Sequence, residues 1–193
     1  MASSTEICNN ALILIGQEPI ITLDDTSKQA RLCKRLYESA LEALLRQYPW
    51  TFALKRVILA HDVETPVFGK AYQFTLPVDC QRVVGIFVSP DEHDCISEDE
   101  YTIESNKILT DYSTLYLRYV GKVSSANDFD SQFCQCLAYR LARLMCQALT
   151  ADQDLLTKLV QLETQAIQFA QHTQAIEQSP QRIKEGNWIR TRW

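Results

Sequence analysis

Between Ser27 and Phe52 the chain carries one long apolar stripe that runs into Tyr48-Pro49-Trp50-Thr51-Phe52. Cys33, Leu36, Tyr37, Ala40, Leu41, Leu44, Leu45 and Tyr48 recur at helical spacing, which predicts a single amphipathic helix. Lys28, Arg31, Lys34, Arg35, Glu38, Glu42 and Arg46 take the other side. Pro49 has no amide hydrogen and disfavours helix at Tyr48, so the helix is expected to stop there. Trp50 and Phe52 then offer a large apolar surface where helical spacing gives way to alternation. This junction is expected to fasten a helical layer to a β layer.

The flanking segments extend that frame. Ser3 and Glu6 have the spacing of a capping box, and Ile7, Cys8, Ala11, Leu12, Leu14 and Ile15 form the apolar side of a first helix. Gly16 is the expected left-handed stop, and Pro19 prevents the helix from resuming. Asp24, Asp25 and Thr26 are the expected caps of the long helix, and the two helices are expected to form a hairpin. From Ala53 to Val123 the period shortens. Strands are predicted at 54–60, at 72–76, at 82–88 and at 114–120. A hairpin joins 101–104 to 107–110 through Ser105-Asn106. Helical spacing returns at Phe129 and follows Phe133, Cys136, Leu137, Arg140, Leu141, Leu144, Met145 and Ala148, with Asp128 or Asp130 as cap. After a break at 150–154, a last helix is predicted over roughly 152–178. Its expected apolar stripe is Leu155, Leu159, Leu162, Ala166, Phe169, Ala170 and Thr173. Ser179-Pro180 ends it.

The expected fold class is therefore α+β, mainly α. It is an antiparallel bundle of about four helices with a small inserted β subdomain and an extended C-terminal tail. The expected division is a helical hairpin over 1–52, a β-rich insertion over 53–123, a second helical hairpin over 124–178 and a docking tail over 179–193.

The chain has 193 residues and is 46% hydrophobic, enough for a core. Its net charge of −5 argues against a protein that grips nucleic acid along its whole surface. Residues 1–6 have no basic leader, and the apolar run 11–15 is too short for a signal or a membrane span. The expectation is a chain made in the cytosol, with no membrane insertion of its own. Seven cysteines without framework spacing then read as free, mostly buried thiols.

Chemical motifs are weak. His61, His93 and His172 lie far apart and lack metal-ligand spacing. Cys134 and Cys136, two apart in a helix, point to different sides. Asp94-Cys95 beside His93 has no matching pair, and the five glycines form neither a phosphate loop nor a nucleophile elbow. The acids between Asp91 and Glu100 read as a solvated loop. No catalytic residue, metal ligand or cofactor site is expected, and the chain is not expected to be an enzyme.

Two features carry more. Residues 27–56 hold Lys28, Arg31, Lys34, Arg35, Arg46, Lys55 and Arg56 against Glu38 and Glu42. Residues 89–112 hold Asp91, Glu92, Asp94, Glu98, Asp99, Glu100, Glu104 and Asp111 against Lys107. Opposite patches on one chain suit head-to-tail contacts between copies, which close into rings. The plain alternative is two unrelated solvated faces. The second feature is the tail, where Arg182, Lys184, Arg190 and Arg192 accompany Trp188, Ile189 and Trp193. Tryptophan and arginine are common interface anchors, so the tail is expected to dock on another protein. A disordered end is the alternative.

These stretches together resemble the tail tubular protein A and head-to-tail adaptor proteins of short-tailed bacteriophages and prophages. The matching pieces are ALILIGQEPI (11–20), YPWTF (48–52), YQFTLPVDCQRV (72–83), IESNKILTDYSTLYLRY (103–119), FDSQFCQCLAYRLA (129–142) and EQSPQRIKEGNWIRTR (177–192). They follow in order through nearly the whole chain. The small-x-Arg ending of the family appears here as Thr191-Arg192, with Arg190 two before it.

The resemblance implies a structural role. Such adaptors form a dodecameric ring under the portal protein, extend the DNA channel, and carry the tail nozzle (tail tubular protein B-like) and tail fibres. It implies the virion tail as location, with assembly in the host bacterial cytoplasm and transient passage of double-stranded DNA during ejection. An acidic net charge suits a conduit that should not hold phosphates. Under this reading the segment with Arg182, Lys184, Trp188, Ile189, Arg190, Arg192 and Trp193 is the portal-docking arm. Lys28, Arg31, Lys34 and Arg35 against Glu98, Asp99 and Glu100 are the lateral ring contacts. The competing readings are a helical DNA-binding protein using Lys28 to Arg46 and a virion-associated wall-degrading enzyme using Glu98 or Glu100.

Overall fold

The computed structural model describes residues 3–91, 95–97 and 99–177. The order of elements is α1 (Ser4–Leu14), α2 (Lys28–Gln47), β1 (Leu54–Ala60), β2 (Tyr72–Thr75), β3 (Cys80–Phe87), β4 (Tyr101–Glu104), β5 (Lys107–Thr110), β6 (Thr114–Gly121), α3 (Ser131–Leu149) and α4 (Gln153–Glu177). The fold is α+β and mainly α, with four helices and two small antiparallel sheets of three strands among the described residues. The predicted docking tail over 179–193 lies outside the described residues.

Two compact units share the chain. Among the described residues, one comprises 3–55, 79–82 and 119–174; the other comprises 56–78, 83–118 and 175–177. The division cuts through β1, β3 and β6, because strand ends are tied to the helices. Arg46 donates to the Gln81 carbonyl and Arg82 to the Gln47 carbonyl, at 2.9 and 3.1 Å. Lys122 reaches Glu38 and Glu42 on α2.

In the helical unit α1 opens on the expected capping box: the Ser3 hydroxyl accepts from the Glu6 amide and Glu6 accepts from the Ser3 amide. It ends at Gly16, whose φ of +68° is a left-handed stop that a Cβ would strain. The long helix is capped by Ser27, whose hydroxyl accepts from the Ala30 amide at 3.2 Å, not by the three residues before it. Asp25 instead accepts from the amides of Ile21 and Thr22, and Asp24 pairs with Lys34. The Asp25 carboxylate is spent on the connecting loop and that of Asp24 on a side chain of α2, which leaves the cap to Ser27.

α3 is the centre of this unit and packs against both α1 and α2, which meet each other only lightly. Its N-cap position is Asp130, but that side chain makes no capping hydrogen bond. The Lys28 ammonium at the start of α2 reaches the Ala148 carbonyl at the end of α3, while Trp50 after α2 meets Phe133 at the start of α3. The two helices are therefore antiparallel. Flanked on two sides, α3 buries Ala138, Ala142 and Cys146 together with Phe133, Cys136, Leu137, Leu141 and Met145 of the predicted face, whereas Leu144 and Ala148 of that face are exposed.

The apolar side of α4 differs from the expectation. Its buried residues are Leu159, Glu163, Ile167, Ala170 and Gln174, whereas Leu162 is 39% and Phe169 64% exposed. The buried line shares Leu159 and Ala170 with the predicted stripe and is turned from it by roughly 70°. An ion pair decides the rotation: Glu163 faces Arg140 and Arg143 on α3.

The junction after α2 also differs in detail. Trp50 is fully buried, and its Nε1 donates to the Leu44 carbonyl at 2.9 Å. Its ring and that of Phe52 lie against Phe133, with Phe129 beside Phe52. All four aromatic residues belong to the helical unit, so the cluster fastens the exit of α2 to the start of α3.

The first sheet has the order β1-β6-β3 and the second β2-β5-β4. In the second, Phe74 and Ile103 both register with the buried Ile108 of β5. Ser105 and Asn106 have φ of 47° and 64°, the two-residue turn that suits the twist of paired strands.

Candidate interaction surfaces

The expected chemistry-bearing side chains stay apart. The His61 ring lies beside Tyr72 and Phe74, with Nδ1 3.1 Å from the Asp62 carbonyl oxygen. His172 is exposed on α4, and His93 lies outside the described residues. Cys134 is half-buried and Cys136 fully buried on α3, where burial pushes the Cys136 thiol up to about 11. Cys8 and Cys33 are buried in the helical core, and the hydrogen bond that Cys8 donates to Cys33, with burial behind it, raises the Cys8 thiol well above its ordinary value. Among the described residues no three His, Cys, Asp or Glu side chains are grouped to hold a metal ion.

The basic set of residues 27–56 is divided by its neighbours. Lys34 pairs with Asp24 at 2.6 Å and Lys55 with Asp79 at 2.7 Å, while Lys28 and Arg46 are held by backbone carbonyls. Glu38 and Glu42 both face Lys122, and the Glu38 carboxylate, then Glu42, raises that ammonium above its ordinary value. Arg31 and Arg35 remain exposed on α2. Sequence reading grouped these residues by sign alone. Contacts between distant segments decide which charges stay available.

On the acidic side, Glu100 accepts from the Ser97 amide at 3.0 Å and the Tyr112 hydroxyl at 2.8 Å, and these bonds lower its pKa. Asp111 is lowered by the Ala71 amide first and then by Lys70. Asp99 is exposed. Glu98, Glu92 and Asp94 lie outside the described residues, as do Arg182, Lys184, Trp188, Ile189, Arg190, Arg192 and Trp193.

Two further features are more specific than the charge patches. An open cleft of about 420 Å³ in the helical unit is lined by Gln47, Arg140, Arg143, Val160, Glu163 and Ile167. Glu163 accepts from Arg140 Nε at 2.7 Å and Arg143 Nε at 2.5 Å, and Arg140 Nη2 also donates to Gln47 Oε1 at 2.6 Å. The four polar side chains satisfy one another, which makes this a lock between α3 and α4 with Gln47 at the end of α2 joined to it. In the β-rich unit a groove of about 210 Å³ is lined by Arg56, Ile58, Phe87, Tyr116 and Arg118, with the Arg118 guanidinium 5.8 Å from the Phe87 ring centre. Glu163, the acid in the middle of a Gln-rich helix whose other acids, Asp154 and Glu177, stand at its two ends, was the available signal for the lock. The groove left none, because it needs three strands side by side.

Among the described residues no helix is long and apolar enough to cross a membrane. Compared with known proteins, the chain matches no family model and no curated protein.

Proposed function

We propose that this protein is a structural head-to-tail adaptor of a short-tailed bacteriophage. It forms a ring below the portal, extends the DNA channel and carries the tail nozzle and fibres. The observation that carries this reading is the ordered resemblance of six stretches between Ala11 and Arg192 to that family. The mainly helical architecture with two small sheets is compatible with it. So is the pairing pattern of α2, in which Arg31 and Arg35 stay exposed for a neighbour while Lys28 and Lys34 are engaged within the chain.

In this reading Arg31 and Arg35 of one copy meet acids such as Asp99 of the next, a heterologous contact that closes by rotation. The segment from Gln181 to Trp193 docks on the portal. Neither role needs a reaction, so the chain acts by shape and affinity.

The test is electron microscopy of particles from cells producing the tagged chain. The expected image is a twelve-fold ring at the junction of head and tail. Deleting residues 181–193 should leave a folded chain that no longer joins the portal. Absence of the tagged chain from particles would overturn the reading, and normal attachment of the shortened chain would overturn the docking role alone.

A further inference from the structure

The groove of about 210 Å³ in the β-rich unit lies across the sheet β1-β6-β3. Leu115 and Leu117 of β6 are buried, so alternation sends Tyr116 and Arg118 to the opposite face, beside the exposed Ile58 of β1. An apolar cavity of about 150 Å³ takes a benzene ring, so this groove has room for one aromatic side chain. The same unit holds two apolar side chains out in solvent. Val67 and Phe68, on the loop from β1 to β2, are 98% and 88% exposed, and Phe68 does not line the groove of its own chain. That loop is tied at both ends. The Asp62 amide donates to the Gln73 carbonyl at 2.8 Å, and the Ala71 amide to Asp111 at 3.0 Å. Gly69, at φ +88°, turns the chain directly after Phe68. The tip is thus held out with much of its ordering cost already incurred on folding.

We propose that Val67 and Phe68 of one copy seat in this groove on a second copy, a heterologous contact that joins copies of the chain head to tail. Charge singles out a second copy. Lys70 and Lys107, the cations beside the tip, are paired with Asp111 and Asp62. That leaves Glu64 on the loop and Glu104 in the recess next to Phe68, and among the described residues neither makes an ion pair. The tip is therefore acidic, whereas Arg56 and Arg118 wall the groove. Both guanidiniums also interact within their own chain, and five N–H donors let each hold a carboxylate from outside as well. Arg118, with one side against the Phe87 ring, can stack on a second aromatic ring. One chain thus carries both halves of the contact, matched in size and opposite in sign. The contact needs neither a portal nor Arg31 and Arg35, so it stands apart from the adaptor reading.

The test is sedimentation velocity of the full chain at low salt over a range of concentrations. Reversible association that proceeds beyond the dimer is expected, and added salt should weaken it. Phe68→Asp removes the tip and Ile58→Glu spoils the groove, both at exposed positions, so circular dichroism should not change. Each variant alone should be monomeric. An equimolar mixture should give a one-to-one dimer and nothing larger, because one variant keeps its groove and the other its tip. Glu104→Arg should raise the dissociation constant about ten-fold at low salt. If Ile58→Glu loses its fold, Arg56→Glu, also exposed, takes its place in the mixture. A chain that is monomeric at every concentration overturns the proposal, as does a variant that associates as before or a mixture that forms no dimer. Association lost on reversing Arg31 and Arg35 but indifferent to Phe68→Asp belongs to the lateral ring contact and overturns this one alone.

Discussion

The Trp50 indole stands edge-on to the Phe133 ring, with centroids 4.9 Å apart and planes at 79°. Edge-to-face packing sets the positive ring edge on the negative face of its neighbour. It joins the residue that follows the Pro49 break to the first turn of the central helix. Trp50→Ala should therefore lower unfolding free energy by about 3–5 kcal/mol in urea titration. Trp50→Phe keeps a ring but loses the bond to the Leu44 carbonyl, and should cost less, about 1–2 kcal/mol. Equal losses in the two variants would mean that ring packing contributes nothing here.

Glu163 sits between Arg140 and Arg143 with only 8% of its side chain exposed. Glu163→Gln leaves two guanidiniums without their counter-charge, one of them nearly buried, and should cost about 3 kcal/mol. Replacing all three together, Arg140→Met, Arg143→Met and Glu163→Leu, should recover most of that loss, because the desolvation cost disappears with the charges. If the triple variant is less stable than Glu163→Gln, the ion pairs stabilise more than their apolar substitutes.

Asp79 holds Lys55 at 2.7 Å and the Tyr119 hydroxyl at 3.1 Å. Lys55 first, then Tyr119, keeps the carboxyl below its ordinary pKa, while burial, and then Asp79 itself, pushes the Tyr119 phenol up to about 12. A depressed folded pKa means that protons favour the unfolded chain. The contribution is thus full above the unfolded value near pH 4 and is lost as pH falls through the folded one. Lys55 and Asp79 are both more than a third exposed, so solvent screening limits the effect to about 0.5–1 kcal/mol. Asp79→Asn should lower stability by that amount at neutral pH and hardly at all near pH 2. A Cβ at Gly121 would stand 2.6 Å from Lys55 Cδ. Gly121→Ala should displace the lysine and add little to Asp79→Asn, and full additivity would separate the two.

Reversing both exposed arginines of α2, Arg31→Glu with Arg35→Glu, should leave thermal stability within about 0.5 kcal/mol per site, as for surface positions. In the adaptor reading it should prevent ring assembly, seen as loss of the ring in particle images. Lys34→Glu, at a residue already paired with Asp24, should interfere less. Intact rings from the doubly reversed chain would remove Arg31 and Arg35 from the lateral contact.

Local chemistry was enough to determine much of this protein from its sequence. The stop at Pro49, the capping box at Ser3, the left-handed Gly16 and the Ser105-Asn106 turn depend on the backbone of a few adjacent residues. So do β5 and β6, whose alternation reflects one face meeting a core. Tertiary structure alone decided three things. It decided which hydroxyl caps α2, because Asp25 is drawn to loop amides and Asp24 to Lys34. It decided which α2 charges remain open, because Ala148 lies 120 residues from Lys28. And it decided how α4 is turned, because Arg140 and Arg143 take Glu163 inward and leave Leu162 and Phe169 outside, against the stripe that periodicity favours. Periodicity counts apolar residues along one helix, whereas an ion pair between two helices depends on the distance that packing sets between them.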